Sequence, residues 1–370
     1  MKKLQILYVS LFFAVLAGLA LFILISPDRA FSDQENRNLA QKPALNAETL
    51  FNGSFQDGLN DYLSDQFPLR DFWMQMNTRV QKVLGKKEIG GVYLGKDGYY
   101  FEKYTDEDFS RSRKNFEILL HAINDQSKKR QDPFTVLFVP SPATVLSDLL
   151  PANAEHYNEK EVRSILAADL PDCRLIDLTK AFSSSKEQLY FRTDHHWTNA
   201  GAFLAYQALM GTEALSQNEF DVRCVSDDFY GTLFSKSLDP DAVPDRIFAP
   251  QSLPEMTVVF EDGTQKNSVY DPEKLSVKDQ YAYYFGGNQG IITIKTSVHN
   301  GKKLLIFKDS FANSLVPYLT AHYEEITLID LRYYNEDLTP LLEKDCEVLF
   351  LYELTNFIQD KGIVNFALLS

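Results

Sequence analysis

The sequence predicts an α/β fold, a mostly parallel sheet covered by helices, behind one N-terminal membrane-crossing helix. Three observations carry that expectation. From residue 110 onward, short buried apolar runs alternate with amphipathic stretches of helical period, the pattern of strands joined by covering helices. An apolar strand, Leu304 to Phe307, stops at Lys308-Asp309-Ser310 and an amphipathic helix follows, a junction that belongs at the carboxyl edge of such a sheet. At the other end, Leu4 to Ile25 is a run whose only clearly polar residues are Gln5 and Ser10, long enough to cross a bilayer as a helix. With 370 residues and 45% hydrophobic content, the chain has the material for a substantial core.

Residues 1–27 read as a membrane anchor or signal segment. The run exceeds the apolar region of roughly 7 to 15 residues found in cleaved signals, and it ends in Ser26-Pro27-Asp28-Arg29 without a clean A-x-A. An uncleaved anchor is therefore favoured over a cleaved, secreted form. Lys2 and Lys3 on the short side stay in the cytoplasm, which puts the chain after about Pro27 outside it.

Residues 28–85 read as tether and helical lead-in. Phe31 to Pro43 is polar and aperiodic, a tether holding the body away from the bilayer, and Ala47 to Val83 carries apolar residues at helical spacing in two helices. Residues 86–370 form the α/β domain. Gly90 to Phe101 is a hairpin turning at Asp97-Gly98. Helices follow at Ser110–Arg130, Lys160–Leu170, Ala200–Met210 and Phe311–His322, the third stopped by Gly211. Strands follow at Pro133–Val139, Cys173–Leu178, Leu304–Phe307, Ile326–Ile329 and Val348–Tyr352. Residues 215 to about 285 break the rhythm with Pro and Asp clusters and a hairpin at Met256–Val269, an insertion that shapes the substrate rim.

Charge and cysteine usage narrow the function. A net charge of -14 leaves no basic stripe beyond the N-terminus, so nucleic acid is not an expected partner. Cys173, Cys224 and Cys346 lie far apart without C-x-x-C spacing and read as three buried thiols rather than a disulfide framework or zinc ribbon.

Two stretches can do chemistry. A serine at a strand-to-helix turn, Ser310, faces the first free N–H groups of the helix, which favour developing negative charge. The same residue would equally serve as an ordinary helix N-cap. Its hydroxyl needs a base, and RTDHHWTN (192–199) offers one. If Asp194 to His196 is extended, alternate side chains share a face, so Asp194 orients His196 while His195 points away; Thr198 caps the helix that follows. A structural turn with satisfied imidazoles is the plain alternative. A metal site is disfavoured because His121, His156, His299 and His322 are isolated, and no metal or other cofactor is expected. Asp194-His195-His196 matches the letters of a DHH-type phosphoesterase, but this chain lacks the further metal-binding aspartate motifs of that class, which would normally work inside the cell. Three residues are candidate substrate or oxyanion contacts: Arg332 toward an acyl oxygen or sugar hydroxyl, the Gly231 amide in Tyr230-Gly231-Thr232 toward the oxyanion, and Trp197 toward a sugar ring. A surface arginine, a plain turn and a buried support for the histidine turn are their respective structural readings.

FRTDHHWTNAGAF together with FKDSFANSLVPYL and Asp330-Leu331-Arg332-Tyr333-Tyr334 resembles the DHHW family of bacterial cell-envelope proteins. That family is related to the SGNH-hydrolase-like proteins of alginate O-acetylation, with D-x-H-W followed much later by a serine. FSDQENRNLAQ, DQFPLRDFW, LGKDGYYF and VPSPATVLSDLLP also read as family segments. The resemblance implies an SGNH-hydrolase-like three-layer sandwich with permuted motif order, and a triad of Ser310, His196 and Asp194. It implies an extracytoplasmic, membrane-anchored O-acetyltransferase or acetylesterase on the bacterial cell surface or periplasmic side, acting on a cell-envelope or secreted polysaccharide through an acetyl-serine. A membrane-bound O-acyltransferase partner would supply the acetyl group. The other function open at this point is a non-catalytic polysaccharide-binding or assembly component.

Overall fold

The structure, a computed structural model of the chain, describes residues 2–362 and 366. It divides into two compact units, Met1–Lys86 with Ser235–Asp241, and Lys87–Phe234 with Ala242–Ser370.

In the first unit the helix Lys2–Ile25 contains a stretch, Lys3–Ile23, of mean hydropathy 2.6 with none of its residues buried, long and apolar enough to cross a membrane. The expected polar tether is ordered instead. Strands β1 (Phe31–Ser32) and β2 (Arg37–Asn38) pair antiparallel around Asn36, whose φ is 52°. Arg37 bonds both oxygens of the buried Asp65 at 2.9 and 2.6 Å, and Glu35 pairs with Arg70. Ion pairing therefore folds a stretch that apolar periodicity could not. Three helices follow rather than two, Ala47–Phe51, Ser54–Asp65 and Arg70–Val83, because Gly53 takes φ 83° and interrupts the first periodic run. Within the same unit Thr78 Oγ1 donates to the Ser237 carbonyl at 2.7 Å and Lys82 bonds Asp239 at 2.7 Å.

The second unit opens with an antiparallel sheet of β3 (Glu88–Ile89), β4 (Val92–Leu94) and β5 (Tyr100–Glu102); Asp97 and Gly98 turn it with φ of 54° and 76°. The chain continues through β6 (Thr135–Val139), β7 (Arg174–Asp177), β8 (Val222–Phe229), β9 (Asp245–Pro250), β10 (Met256–Phe260), β11 (Gln265–Lys266), β12 (Ile291–Thr296), β13 (Lys303–Lys308), β14 (Glu325–Ile329) and β15 (Glu347–Glu353). Eight of these form one sheet in the order β11-β10-β12-β14-β13-β15-β6-β7, parallel from β14 through β7 and antiparallel at the β12 side. β8 and β9 pair separately.

Strand residues alternate between two apolar clusters. Leu304, Ile306, Leu349 and Leu351 pack with the helices Asn199–Met210 and Ala312–Leu319 on one face. Leu305, Phe307, Phe350 and Tyr352 pack with Asp106–Lys128 and Leu354–Gln359 on the other. Burial on both faces explains why these strands read as unbroken apolar runs.

Two features depart from expectation. The hairpin at Met256–Val269 supplies β10 and β11 to the main sheet, and β12, which no boundary signal had marked, joins them to β14. Of the three thiols, all free, Cys173 and Cys346 are partly buried but Cys224 is exposed. It lies where β8 shifts register against β9.

Candidate active site

β13 ends at Lys308, one turn follows, and the helix Ala312–Leu319 begins, so Ser310 stands at the carboxyl edge of the parallel strands. The turn is pinned by Asp309, which accepts the Phe311 amide at 2.9 Å, the Glu353 amide at 3.0 Å and the Asn356 side chain at 2.8 Å. Ser310 Oγ lies 2.7 Å from His196 Nε2, and His196 Nδ1 lies 2.5 Å from Asp194 Oδ1. An Nδ1–H donated to Asp194 leaves Nε2 bare to accept the serine proton.

The pairing of Asp194 with His196 was expected, but its cause is different. Residues 192–196 form successive bends rather than a strand, with one bridge between Tyr190 and Trp197. Asp194 Oδ1 accepts the backbone amide of His196 at 3.0 Å as well as its ring N–H, and this local clasp replaces the pleat. His195 does not point away. Its ring lies 3.9 Å from that of His196, and its Nδ1 is 2.7 Å from Thr232 Oγ1.

The other oxygen of Asp194 accepts the Thr232 amide at 2.8 Å and the Thr232 hydroxyl at 3.1 Å. This corrects the role expected for Gly231. Its amide donates to Thr193 Oγ1 at 3.1 Å and is not aimed at an oxyanion, while a Cβ on Gly231 would stand 2.2 Å from Asp194 Cβ. Glycine is needed there so that the carboxylate can close on the turn. Thr193 is held in turn by Asp245 of β9, which accepts its amide and hydroxyl at 2.8 and 2.7 Å.

For Trp197 the sugar contact is corrected, and the structure has the indole as the buried support for the histidine turn. It is fully buried, and its Nε1 donates to the Phe311 carbonyl at 3.0 Å and to Ser314 Oγ at 2.8 Å. No face remains for a sugar; the indole ties the histidine loop to the serine turn. Arg332 is clamped to the buried Asp330 by two bonds of 2.8 and 2.6 Å, with about a third of its side chain exposed. Tyr281 had no mark in the sequence. Its ring stacks on His196 at 3.8 Å and 11°, and its hydroxyl donates to the Ser310 carbonyl at 3.1 Å, so one side chain braces both groups.

Burial strongly disfavours charge at both titrating members. For Asp194 the penalty is outweighed by the neighbouring His196 and His195, the His196 hydrogen bond and the Thr232 amide, which hold its pKa well below the ordinary carboxylate range. For His196 burial wins, with His195 adding to it, and its pKa falls to about 4 despite Asp194. At neutral pH the arrangement is a carboxylate, a neutral imidazole and a hydroxyl, the state in which a serine can be deprotonated. Asp194, His195 and His196 bring donor atoms within 4.8 Å of one another, but both nitrogens of His196 are engaged, which leaves two donors where an open metal site needs about three.

Fold and site together define an α/β protein with a serine-histidine-aspartate constellation whose acid and base precede the serine. The model of the DHHW protein family matches residues 157–329, a span containing all three groups, and the resemblance to that family read from the sequence is borne out. The probable alginate O-acetylase AlgJ of Pseudomonas syringae pv. tomato is 24% identical over 219 residues, 56% of this chain and 52% of that protein. The chain thus spans about half the length of the curated relatives it matches. Two solved structures share the fold. A DHHW family protein from Eubacterium siraeum matches with a TM-score of 0.61 at 23% identity, over 75% of this chain and 96% of that one. Bacillus cereus PatB1, solved with a sulfonyl adduct, matches with a TM-score of 0.59 at 24% identity, over 73% of this chain and 97% of that one.

Proposed function

We propose that the chain is a membrane-anchored, extracytoplasmic O-acetyltransferase of a cell-envelope or secreted polysaccharide, with Ser310 as nucleophile, His196 as base and Asp194 as orienting acid. The observation that carries this reading is the unbroken hydrogen-bonded chain Ser310–His196–Asp194 at the edge of the sheet. The AlgJ name of the curated relatives supports acetyl transfer to a polysaccharide, and the sulfonyl adduct on PatB1 is in keeping with an activated nucleophile on this fold.

In the first step Ser310 Oγ–H yields its proton to His196 Nε2, and the oxygen attacks the acetyl carbonyl of an ester donor. The tetrahedral adduct collapses to acetyl-Ser310, and the departing alcohol takes the proton back from His196. In the second step His196 deprotonates a sugar hydroxyl, which attacks the acetyl-serine and leaves as the acetate ester, returning the proton to Ser310. Water in place of the sugar makes the same site an acetylesterase. The helix N-terminus after Ser310 favours the oxyanion, and Arg332, fixed by Asp330, would bind an acyl oxygen or a sugar hydroxyl at the rim. A membrane-bound O-acyltransferase is the partner proposed to deliver the acetyl group.

The test is acetyl transfer from an activated ester to oligosaccharide acceptors, comparing wild type with Ser310→Ala. An enzyme loses transfer and hydrolysis together. Acceptor binding that persists alongside no turnover in either protein would instead support the non-catalytic binding role.

A further inference from the structure

The first unit carries an apolar surface that neither its own packing nor the proposed chemistry uses. Along the helix Arg70–Val83 and its flanks, Leu69, Trp73, Met76, Val80, Val83 and Leu84 are exposed, from 38% for Met76 to 82% for Val83. From Trp73 the helical spacing is three, four and three residues to Val83, Leu84 stands four beyond Val80, and Leu69 caps the same end as Trp73, so the side chains form one stripe. Only Thr78 of this helix is buried. Isolated exposed leucines need no explanation, but a continuous stripe containing a tryptophan does.

The chain path says what lies near it. Only Ser26 and Pro27 separate the helix Lys2–Ile25 from Asp28, and Asp28 and Arg29 are already bound. Tyr62 donates to Asp28 at 2.7 Å, Gln66 exchanges two hydrogen bonds of 2.9 Å with the Arg29 backbone, and Arg29 pairs with Asp71 at 3.0 Å. Since a residue spans at most about 3.6 Å, these contacts fall on the order of 15 Å from the end of the apolar helix. Asp71 belongs to the striped helix itself. Residues 72–87 also contain Arg79, Lys82, Lys86 and Lys87 and no carboxylate, in a chain of net charge -14, although Arg79 and Lys82 are paired with Asp239 and Asp241.

We propose that the stripe Leu69–Leu84 lies in the membrane interface, its apolar side chains in the headgroup–acyl boundary, so that the first unit is a platform resting on the lipid surface rather than a tether holding the body away. Tryptophan and aliphatic residues on one face with lysine and arginine around them are the composition of an interfacial helix. The proposal rests on reading Lys2–Ile25 as a membrane-crossing helix and is independent of the chemistry at Ser310.

Trp73 and Trp197 are the chain's two tryptophans, and Trp197 is fully buried. The full chain is reconstituted into vesicles of ordinary or tail-brominated phosphatidylcholine, with Trp73→Phe subtracted to isolate Trp73, and retention is checked by alkaline carbonate washing. The expected result is retention, loss of most Trp73 emission in brominated lipid, and little quenching by aqueous iodide. A retained chain whose Trp73 is quenched by iodide and indifferent to bromine overturns the platform and leaves the anchor standing; a protein partner on the stripe, with Trp73 shielded from both quenchers, overturns it too. A chain removed by the wash overturns both platform and anchor.

Discussion

Two serines in the second unit stand just beyond the carboxyl end of a parallel strand and within hydrogen-bonding distance of a histidine that burial has pushed down to a pKa of about 4. Ser310 follows β13 and lies 2.7 Å from His196; Ser141 follows β6 and lies 3.1 Å from His156. They differ in where the protons go. Ser141 Oγ donates to Glu159 Oε2 at 2.6 Å, an oxygen that also accepts the Ser141 amide at 3.1 Å and the Thr144 hydroxyl at 2.7 Å, and the serine caps the helix Pro142–Val145. His156 divides its Nε2 between the hydroxyls of Ser141 and Thr144. At Ser310 the hydroxyl faces an imidazole whose other nitrogen is bound to a carboxylate. A nearby serine and histidine are therefore not enough; the tautomer must be fixed so that the serine proton has a bare nitrogen to move to.

Substituting each serine should separate the pairs most widely. Ser310→Ala is expected to reduce turnover of an activated acetyl ester by about 10³-fold or more. Ser141→Ala should keep turnover near wild type and lower stability by about 1 kcal/mol, the usual loss of a helix cap, read by denaturant unfolding. Next come the carboxyl groups: Asp194→Asn, which spoils the tautomer, should cost about 10³ to 10⁴-fold in ester turnover, whereas Glu159→Gln should leave the rate near wild type.

A subtler break is Gly231→Ala. A methyl group 2.2 Å from Asp194 Cβ must displace the carboxylate, so turnover should fall steeply with about 1 to 3 kcal/mol of destabilisation. The smallest effect expected concerns pH. Both histidines stay neutral in the folded chain down to about pH 4, whereas in the unfolded chain they protonate near 6.5, so the unfolded state binds more protons between those values and stability falls as pH drops from 6.5 toward 4. His156→Gln should flatten part of that decline in a thermal-melt series. The pH–rate profile should keep its shape, level from neutral to about pH 5 and falling toward 4 as His196 gains its proton. A shifted acid limb in His156→Gln would mean the two pairs are coupled.

Much of this arrangement was legible in the sequence because its causes are local. The β13 strand, the Lys308-Asp309-Ser310 turn, the Thr198 cap and the Gly211 stop each follow from an apolar run or a backbone preference within a few residues. What was not legible is set by tertiary contact. Tyr281 comes from a short 3₁₀ turn, Gln280–Tyr283, inside the stretch read as an insertion, and nothing in its neighbours announces that its ring will meet His196. Gly231 and Trp197 each carry two readings in the sequence, a substrate contact and a structural role, and what decides for the structural one, the Thr193 hydroxyl for the Gly231 amide and the Phe311 carbonyl for the indole, lies far along the chain. The approach of His195 to His196 depends on the bend at Asp194, which forms through side-chain-to-backbone bonds that hydrophobic periodicity does not report.

Exposure of the full chain to an aryl sulfonyl fluoride, followed by peptide-mapped mass spectrometry, decides whether Ser310 or Ser141 is the activated nucleophile. One sulfonyl adduct is expected, on Ser310, absent from Ser310→Ala and formed far more slowly in His196→Ala. An adduct on Ser141, or one that survives Ser310→Ala undiminished, would contradict the assignment of Ser310 as nucleophile.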